Sequence, residues 1–315
     1  MHRVGYLLSE GFQVMALASQ SVFEYANITA GEAFYRIENY SITGGEVHSS
    51  LGMKIDTKPV SPRIAVDTWI ATGVNDPLDT PTPADMLAFL RRSGGRARRI
   101  AGICTGGFVL AEAGLLANRR ATTHWAYARE MQQRFPDVRV EEDRIFIVDG
   151  PVWTSAGMTA GLDLALAMVE KDLGAEIARS VAHKLVMHQR RAGGQSQHSE
   201  MLDLAPKSDR IQNALNFARK NLNRPLTVEE LAGEAHLSPR QFSRVFALET
   251  GQSPAKAVEG LRLEAARLLI EKSRHSLETI AQETGFRDRR HMREAFMRGF
   301  GVPPQEVRRE ARTEG

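Results

Sequence analysis

The last third of the chain contains one short pattern twice, and this repeat limits the folds open to it. Three residues recur 49 positions later: Ala232, Glu234 and Leu237 return as Ala281, Glu283 and Phe286. Three more recur 50 positions later: Phe246, Gly251 and Pro254 return as Phe296, Gly301 and Pro304. A solenoid needs three or more copies, so the repeat predicts two copies of one supersecondary unit.

The repeated region is helical throughout. Six segments carry apolar residues at helical spacing: Asp209–Asn221, Thr227–Ala235, Pro239–Thr250, Pro254–Lys272, Ser276–Glu283 and Asp288–Arg298. Thr227 with Glu230 has the spacing of a capping box. Each copy therefore has a short helix, a tight turn and a second helix, which predicts an all-α domain with two helix-turn-helix units.

The second helix of each copy places arginines opposite its apolar stripe. A turn of about 100° per residue puts Phe242, Val245 and Phe246 on one side of the first such helix. Arginine binds guanine through two hydrogen bonds, so the outward residues are candidates for reading DNA in the major groove. The candidates in the two copies are Arg240, Gln241, Ser243, Arg244, Arg290, His291 and Arg293. The alternative is that these are ordinary exposed side chains of an amphipathic helix.

The helix between the copies favours the DNA interpretation. Pro254–Lys272 would be about 27 Å long, and with its turns it would separate the two reading helices by roughly the 34 Å of one DNA turn. From Lys207 onward the sequence has 20 Lys and Arg against 15 Asp and Glu, whereas the earlier part has 21 against 23. The net positive charge therefore lies in the last third, as expected for a partner such as double-stranded DNA.

Residues 209–310 resemble the AraC/XylS family of bacterial transcription regulators. The resemblance is most specific in the segment from Gly285 to Arg308, including Phe286, Phe296, Phe300, Gly301 and Pro304. It implies a DNA-binding domain of two helix-turn-helix units joined by a long helix. One departure is Glu294, which stands where the family commonly has a basic or small residue and which would repel phosphate.

The first part of the chain alternates strand and helix patterns, which predicts an α/β sheet covered on both faces. The predicted strands are Arg3–Leu8, Thr68–Thr72, Ile100–Cys104 and Ile145–Val148, and the predicted helices are Pro83–Arg92, Gly106–Ala113, Trp125–Phe135 and Ala160–Leu173. A stretch rich in Gly, Ser and Gln follows. We therefore predict an α/β domain over 1–190, a linker over 191–207 and the helical domain over 208–315.

The single cysteine, Cys104, follows an apolar strand and precedes a helix in a Gly-x-Cys-x-Gly pattern. This arrangement has the form of a nucleophile elbow, and a thiol at a helix N-terminus is expected to favour the thiolate. The alternative is a small buried residue beside a glycine-rich turn. One cysteine, with no membrane span or signal peptide, is typical of a cytoplasmic protein.

Residues 100–173 resemble the ThiJ/PfpI branch of the class I glutamine amidotransferase-like fold, a flavodoxin-like sandwich. The resemblance implies that Cys104 is the elbow residue, that His124 is its partner and that the backbone of Gly73 lines the same pocket. Thr105 stands where peptidase-like relatives have histidine, and Ala16 where enzymatic relatives have an acid. Because the acid is missing, we predict a ligand pocket formed by Gly73, Cys104, Thr105 and His124, with Cys104 and His124 as remnants of a catalytic pair.

Together the two domains resemble the GlxA-type subgroup of AraC regulators, whose members respond to amino acids and quaternary amines. The prediction is a homodimeric transcriptional activator that binds DNA, a small amino-acid-like or amine-like effector and RNA polymerase, with no cofactor and no metal. One rival hypothesis is a thiol hydrolase or amidase with an accessory DNA-binding module. Another is a thiol redox sensor, because an elbow thiolate oxidises readily.

Overall fold

In the computed structural model the described residues are 1–61, 63–187, 193, 197, 204, 206 and 208–314. The chain forms two compact units, Met1–Gly193 and Gly194–Gly315. The predicted linker, 191–207, lies outside the described residues except at positions 193, 197, 204 and 206, so its extent stays a prediction. Among the described residues, no helix combines the length and the apolar character that crossing a membrane requires.

The first unit is built on an eight-stranded sheet. Its strands are β1 (His2–Leu7), β2 (Tyr35–Ser41), β3 (Gly45–His48), β4 (Lys54–Pro59), β5 (Thr68–Thr72), β6 (Arg99–Ile103), β9 (Phe146–Asp149) and β10 (Val152–Ser155). Across the sheet they follow the order β3-β4-β2-β1-β5-β6-β10-β9. A further two-stranded sheet pairs β7 (Arg120–Ala121) with β8 (Arg139–Val140). The central strands are parallel, and β3 and β9 are antiparallel edge strands.

Helices cover both faces of this sheet, as the sequence predicts for an α/β fold. They are α1 (Gln20–Ala30), α2 (Ala84–Gly94), α3 (Gly106–Glu112), α4 (Trp125–Arg134), α5 (Met158–Leu173) and α6 (Ala175–Lys184), preceded by a 3-10 helix, Val14–Ser19. Neighbouring strand residues belong to different hydrophobic cores, because successive side chains point to opposite faces. Tyr6 packs with α1, α5 and α6, whereas Leu7 packs with α2 and α3.

The strands β2, β3, β4 and β10 were not among the sequence predictions. Strand β2 mixes Tyr35 and Tyr40 with Arg36 and Glu38, so it has no continuous apolar run. Strands β3 and β4 lie near one edge and expose most of their residues. A half-exposed edge strand needs few apolar residues, so the apolar pattern on which the predictions relied is weak there.

In the second unit, the regular elements among the described residues are all helices. Its helices are α7 (Asp209–Lys220), α8 (Val228–Glu234), α9 (Pro239–Thr250), α10 (Pro254–Lys272), α11 (Leu277–Glu283), α12 (Arg289–Phe300) and α13 (Pro304–Glu314). The predicted helical domain is confirmed, and α13 is an addition to it. There are two hydrophobic cores, and the long helix α10 contributes to both, with Leu261 in the first and Leu263 in the second.

The turns of the two helix-turn-helix units share a hydrogen bond and a left-handed residue. In the first turn the Leu237 N–H donates to the Ala232 carbonyl at 2.9 Å, and in the second the Phe286 N–H donates to the Ala281 carbonyl at 2.8 Å. The residue before each donor has a positive φ: His236 at 54° and Gly285 at 76°. The second copy is one residue longer, and the extra residue, Arg287, falls in the turn.

Candidate functional site

Helix α9, the second helix of the first helix-turn-helix unit, presents two arginines to solvent. Its apolar side is anchored by Phe242 and Phe246, which are fully buried in the first core. Arg240 and Arg244 are exposed. The sequence prediction of one buried stripe opposite an arginine row therefore matches the structure at this helix, and both guanidinium groups are accessible to a ligand as large as DNA.

Two other candidates on α9 serve the helix itself. The Gln241 side-chain Oε1 accepts from the Ser238 N–H at 3.2 Å and from the Ser238 hydroxyl at 2.8 Å, which completes a capping box at the start of the helix. The Ser243 hydroxyl donates to the Pro239 carbonyl at 2.9 Å. Both side chains therefore already have hydrogen-bond partners in the first turn of α9 or its cap.

Helix α12, the second helix of the second helix-turn-helix unit, also has a buried side but a different charge pattern. Met292, Ala295 and Phe296 are buried in the second core. The candidates Arg290 and Arg293 are exposed, as are Arg289 and Arg298. Helices α9 and α12 thus each carry at least two exposed arginines and a side buried in a hydrophobic core.

The acidic residue Glu294 is paired with one of these arginines. Its Oε1 accepts from the Arg290 Nε at 3.0 Å, one helical turn away. Both side chains remain largely exposed, so the pair is an exposed one of the kind that contributes little to stability. Its effect is on position and charge, because Glu294 restrains the Arg290 guanidinium and offsets its charge at the surface that would face DNA.

The predicted candidate His291 contributes to the turn rather than standing free. Its Nδ1 accepts from the Arg287 N–H at 3.3 Å, and its ring lies edge-on to Phe286 with centroids 5.5 Å apart. Its own N–H donates to the Asp288 carboxylate at 2.7 Å, which caps α12. That backbone bond and the Arg287 side chain lower the pKa of Asp288, so the cap is ionised at neutral pH.

In the α/β unit, Met1–Gly193, Cys104 occupies the elbow that its sequence pattern predicts. It lies between β6 and α3 with a φ of 57°, a left-handed conformation that is uncommon for a residue with a side chain. The Cys104 N–H donates to the Ser155 carbonyl at 3.0 Å, and its carbonyl accepts from the Thr123 hydroxyl at 3.0 Å. These bonds hold the strained turn in place.

The thiol itself is not activated. Cys104 is 5% exposed, and burial raises the pKa of its thiol despite opposing contributions from Thr105. Burial thus opposes the thiolate that a position at the N-terminus of α3 is expected to favour. At neutral pH the thiol is protonated.

The loop carrying Gly73 packs directly against the elbow. A Cβ atom added to Gly73 would lie 2.0 Å from the Thr105 Oγ1 and 2.4 Å from the Gly106 nitrogen, so only glycine fits. The Thr105 hydroxyl donates to the Val74 carbonyl at 2.6 Å. Gly73 and Thr105 thus join the two loops around Cys104, and the Thr105 hydroxyl is committed to that junction.

The predicted partner His124 caps helix α4. Its Nδ1 accepts from the Ala126 N–H at 3.3 Å. A Cβ on Gly157 would lie 3.5 Å from the His124 Cδ2, so the ring borders the start of α5. Trp125 is 54% exposed beside it, with ring centroids 5.5 Å apart. The histidine is thus flanked by a half-exposed tryptophan that the sequence predictions did not include.

The acid that enzymatic relatives of this fold carry has no substitute in the loop after β1. Ala16 is buried, and the Glu10 carboxylate accepts from the His48 N–H at 3.2 Å with most of its side chain exposed. That bond directs Glu10 to the edge strand β3.

Ser155 is a further polar group beside the elbow. It ends β10, opposite Ile103 in the neighbouring strand, and is fully buried. Its hydroxyl has no hydrogen-bond partner within the described part of the chain. A buried hydroxyl without a partner is unfavourable, so a bound molecule or water is expected to supply one. The sequence signal for Ser155 is its position, because it is the last residue of β10, which runs parallel to β6, the strand that precedes Cys104.

The described part of the chain has no group of three or more His, Cys, Asp or Glu side chains arranged to hold a metal ion. The two sites that do emerge are a pair of arginine-bearing helices on a duplicated unit and an elbow pocket on an α/β sandwich. This combination defines a class of protein, the transcription regulator that joins a DNA-binding domain to an enzyme-like sensor domain.

Comparison with known proteins gives the same class and its family. Residues 231–310 match the family model "Helix-turn-helix domain", and residues 14–171 match "DJ-1/PfpI family". The chain belongs to the AraC family of helix-turn-helix transcriptional regulators that carry an N-terminal DJ-1/PfpI domain. It is a DNA-binding transcriptional regulator.

Relatives match over nearly the whole chain. The transcriptional regulator GlxA of Rhizobium meliloti is 32% identical over 319 residues, which cover 98% of this chain and 96% of that protein. The regulator GbdR of Pseudomonas aeruginosa is 29% identical over 313 residues, with 97% and 83% covered. A crystal structure of an AraC family regulator from Pseudomonas putida, 22% identical with a TM-score of 0.53, covers 59% of this chain and all of that one and shows the fold of the first unit.

Proposed function

We propose that this protein is a sequence-specific transcriptional activator of the cytoplasm that is controlled by a small nitrogenous metabolite. The observation that carries the proposal is the pair of reading helices, α9 and α12, each with at least two exposed arginines and a side buried in a hydrophobic core, and both packed against α10. Arginines held on rigid helices suit guanine recognition in successive major grooves.

The DNA proposal is tested with the full chain and the DNA upstream of its own gene. We expect specific binding whose affinity falls steeply with salt, because arginines release counterions from phosphates. Arg240→Ala should weaken specific binding by about 1–3 kcal/mol and relax base preference at one position. Arg179→Ala removes an exposed arginine from α6 in the first unit and is the matched control. Equal losses for the two variants would contradict base reading by Arg240.

For the effector, we propose the pocket beside Cys104. The support is the unpartnered Ser155 hydroxyl, the half-exposed Trp125 next to His124, and the close contact of Gly73 with Thr105 beside the elbow. A tryptophan face attracts cations, so an amine or amino acid suits this surface better than an anion. The ligand would shift the population of DNA-competent molecules through its different affinity for the two states.

A thermal-shift screen of amino acids and amines on the full chain tests this site, because a ligand of the folded state raises the unfolding temperature. We expect a hit whose stabilisation is lost in Trp125→Ala and partly kept in Trp125→Phe, which retains an aromatic face. A ligand that stabilises all three proteins equally would place the effector elsewhere.

We further propose that the protein acts as a dimer on paired sites and recruits RNA polymerase. Linked half-sites bind more tightly through effective concentration. Light scattering of the full chain should give twice 34.9 kDa, and transcription from its promoter with purified polymerase should rise when the effector is added. A monomer that lowers transcription would contradict this proposal.

The elbow conformation of Cys104 also favours a second candidate, a thiol hydrolase. We propose that the pocket is not catalytic, because its thiol is protonated and Ala16 stands in place of the acid. Incubation with amide and ester substrates should show no turnover above that of Cys104→Ala. Peroxide should leave DNA affinity unchanged, whereas a redox sensor would lose or gain affinity only when Cys104 is present.

A further inference from the structure

Three segments of the second unit meet at one point between the two helix-turn-helix units. Arg262 lies on α10, and its Nη2 donates to the Arg224 carbonyl at 2.8 Å, in the loop between α7 and α8. Gly285 of the second turn approaches the same place. We call this meeting point the Arg262 junction, formed by Arg262, Gly285 and the loop 222–224.

The fit at the Arg262 junction is tight. A Cβ atom on Gly285 would lie 1.8 Å from the Leu222 carbonyl oxygen and 2.9 Å from both the Nε and the Nη2 of Arg262. Gly285 also has a φ of 76°, which favours glycine. Leu222 packs against the first core of the helical domain, whereas Gly285 belongs to the turn of the second helix-turn-helix unit. The backbones of the two helix-turn-helix regions are therefore in direct contact here.

Arg262 gives up solvation to occupy this position. Burial lowers the pKa of its guanidinium. Its Nε is buried and has no hydrogen-bond partner among the described residues. An arginine on an exposed part of α10 would keep all its donors in water, so the burial of this side chain is unfavourable unless the contact between the units gives something in return.

A cavity lies beside the junction, between the two helix-turn-helix units. Its volume is about 170 Å³, and it is lined by Leu226 and Val228 on the side of the first helix-turn-helix unit, by Phe286 and His291 of the second, and by Arg262. His291 belongs to α12 and Val228 starts α8, so the cavity reaches elements of both units. The contact at the junction thus has no continuous packed interface around it on this side.

Helix α10 and the junction constrain different motions. A rigid helix that packs into both cores fixes the distance between the two helix-turn-helix units, and its buried side chains limit rotation about the helix axis. A contact away from the axis limits this rotation more strongly, and the hydrogen bond to Arg224 together with the close approach of Gly285 supplies such a contact.

We propose that the Arg262 junction fixes the rotation of the second reading helix relative to the first, and so restricts the protein to one spacing between two DNA segments. Arg262 acts here as a positioning residue that does not itself contact DNA. The proposal rests on the proposed reading of DNA by both helices. One added base pair turns a DNA segment by roughly 35° about the duplex axis, so spacing and rotation are linked.

The test uses the full chain and the site that it binds in the DNA upstream of its own gene, here called the natural site. Two altered DNA sites have a spacer between the two contacted segments that is one base pair longer or one base pair shorter. We expect the wild-type protein to lose roughly tenfold or more in affinity at either altered spacer, in line with the cost of a mismatched site. Arg262→Ala should bind the natural site more weakly but reduce the penalty for altered spacers to about threefold or less. Arg262→Lys, which keeps the charge but not the fork of donors, should fall between the two.

The matched control is Arg267→Ala, because Arg267 is a buried arginine on the same helix that pairs with Glu271 and stacks on Phe300 inside the second core. It should lower stability and affinity while keeping the full spacer penalty. An Arg262→Ala protein with the wild-type penalty would overturn the proposal and assign Arg262 to folding alone. Absence of sequence preference in the wild-type protein would instead overturn the proposed reading of DNA.

Discussion

At the scale of residues, backbone conformation separates positions that a sequence alignment of the two repeats would treat alike. Both helix-turn-helix turns need a left-handed residue, and the second uses Gly285 whereas the first uses His236. The second has no choice, because a side chain would collide with the Leu222 carbonyl. The first is exposed and tolerates a side chain, at the cost of backbone strain.

We expect His236→Gly to stabilise the second unit by roughly 0.5–1 kcal/mol, because the strain relieved exceeds the entropy that glycine adds to the unfolded chain. His236→Ala keeps the strain and removes only the side chain, so it should gain nothing. Denaturant unfolding followed by far-UV circular dichroism measures both. Equal stabilities for the two variants would show that the turn is relaxed.

The pH dependence of Cys104 follows from its burial. The thiol pKa is raised above its ordinary value, so the reactive thiolate forms only at alkaline pH. The rate of alkylation by iodoacetamide should therefore keep rising as pH increases beyond the range in which a free cysteine levels off. A plateau near neutral pH would mean that the elbow activates the thiol after all.

Glu294 gives a prediction about charge at the reading surface. Glu294→Gln removes a negative charge beside DNA and releases Arg290 from its partner, so affinity for any DNA should rise by about 1 kcal/mol or less, most clearly at low salt. Glu229→Gln, on the exposed first turn of α8, is the control for net charge. Equal gains would mean that the effect is long-range and that Glu294 does not face DNA.

At the scale of elements, each helix-turn-helix helix begins at a side-chain cap. Thr227 and Glu230 form a capping box on α8, Ser238 and Gln241 form one on α9, and Asp288 caps α12. The caps satisfy backbone N–H groups at helix starts that the tight turns leave without helical partners. Local sequence therefore sets where each reading helix begins and which residues its first turn presents.

Ser238→Ala and Thr227→Ala should each destabilise the second unit by about 1 kcal/mol. Only Ser238→Ala frays the first turn of α9, where Arg240 lies, so it should weaken specific DNA binding more than its stability loss explains. Titration of both variants on the same DNA measures the difference. Identical affinities would show that the α9 cap serves stability alone.

At the scale of the whole molecule, the chain has two units with separate hydrophobic cores, and the three tryptophans, Trp69, Trp125 and Trp153, all lie in the first. Tryptophan fluorescence therefore reports the first unit, whereas the helical signal includes the whole second unit. The first unit also contains Asp172, a fully buried carboxylate that pairs with Arg98 and Arg99.

Asp172→Asn should destabilise the first unit by about 3–5 kcal/mol, because it leaves Arg99 buried without its charge partner. Phe246→Ala should cost the second unit a similar amount by opening a cavity. We expect the first variant to shift the fluorescence transition, and the second to shift the far-UV transition while leaving the fluorescence transition in place. A fluorescence transition that shifts in Phe246→Ala would mean that the two units unfold as one.

The amino-acid sequence alone predicts the helical repeat, the capping box of α8, the outward arginines and the strand–cysteine–helix elbow, because each depends on residues close together in the chain. The remaining features appear only in the folded protein. The protonated state of Cys104, the unpartnered Ser155 hydroxyl and the Arg262 junction all depend on which distant segments remove water from a group or supply it with a partner. Burial and partners come from packing across the sheet or between helix pairs, and no local pattern records them.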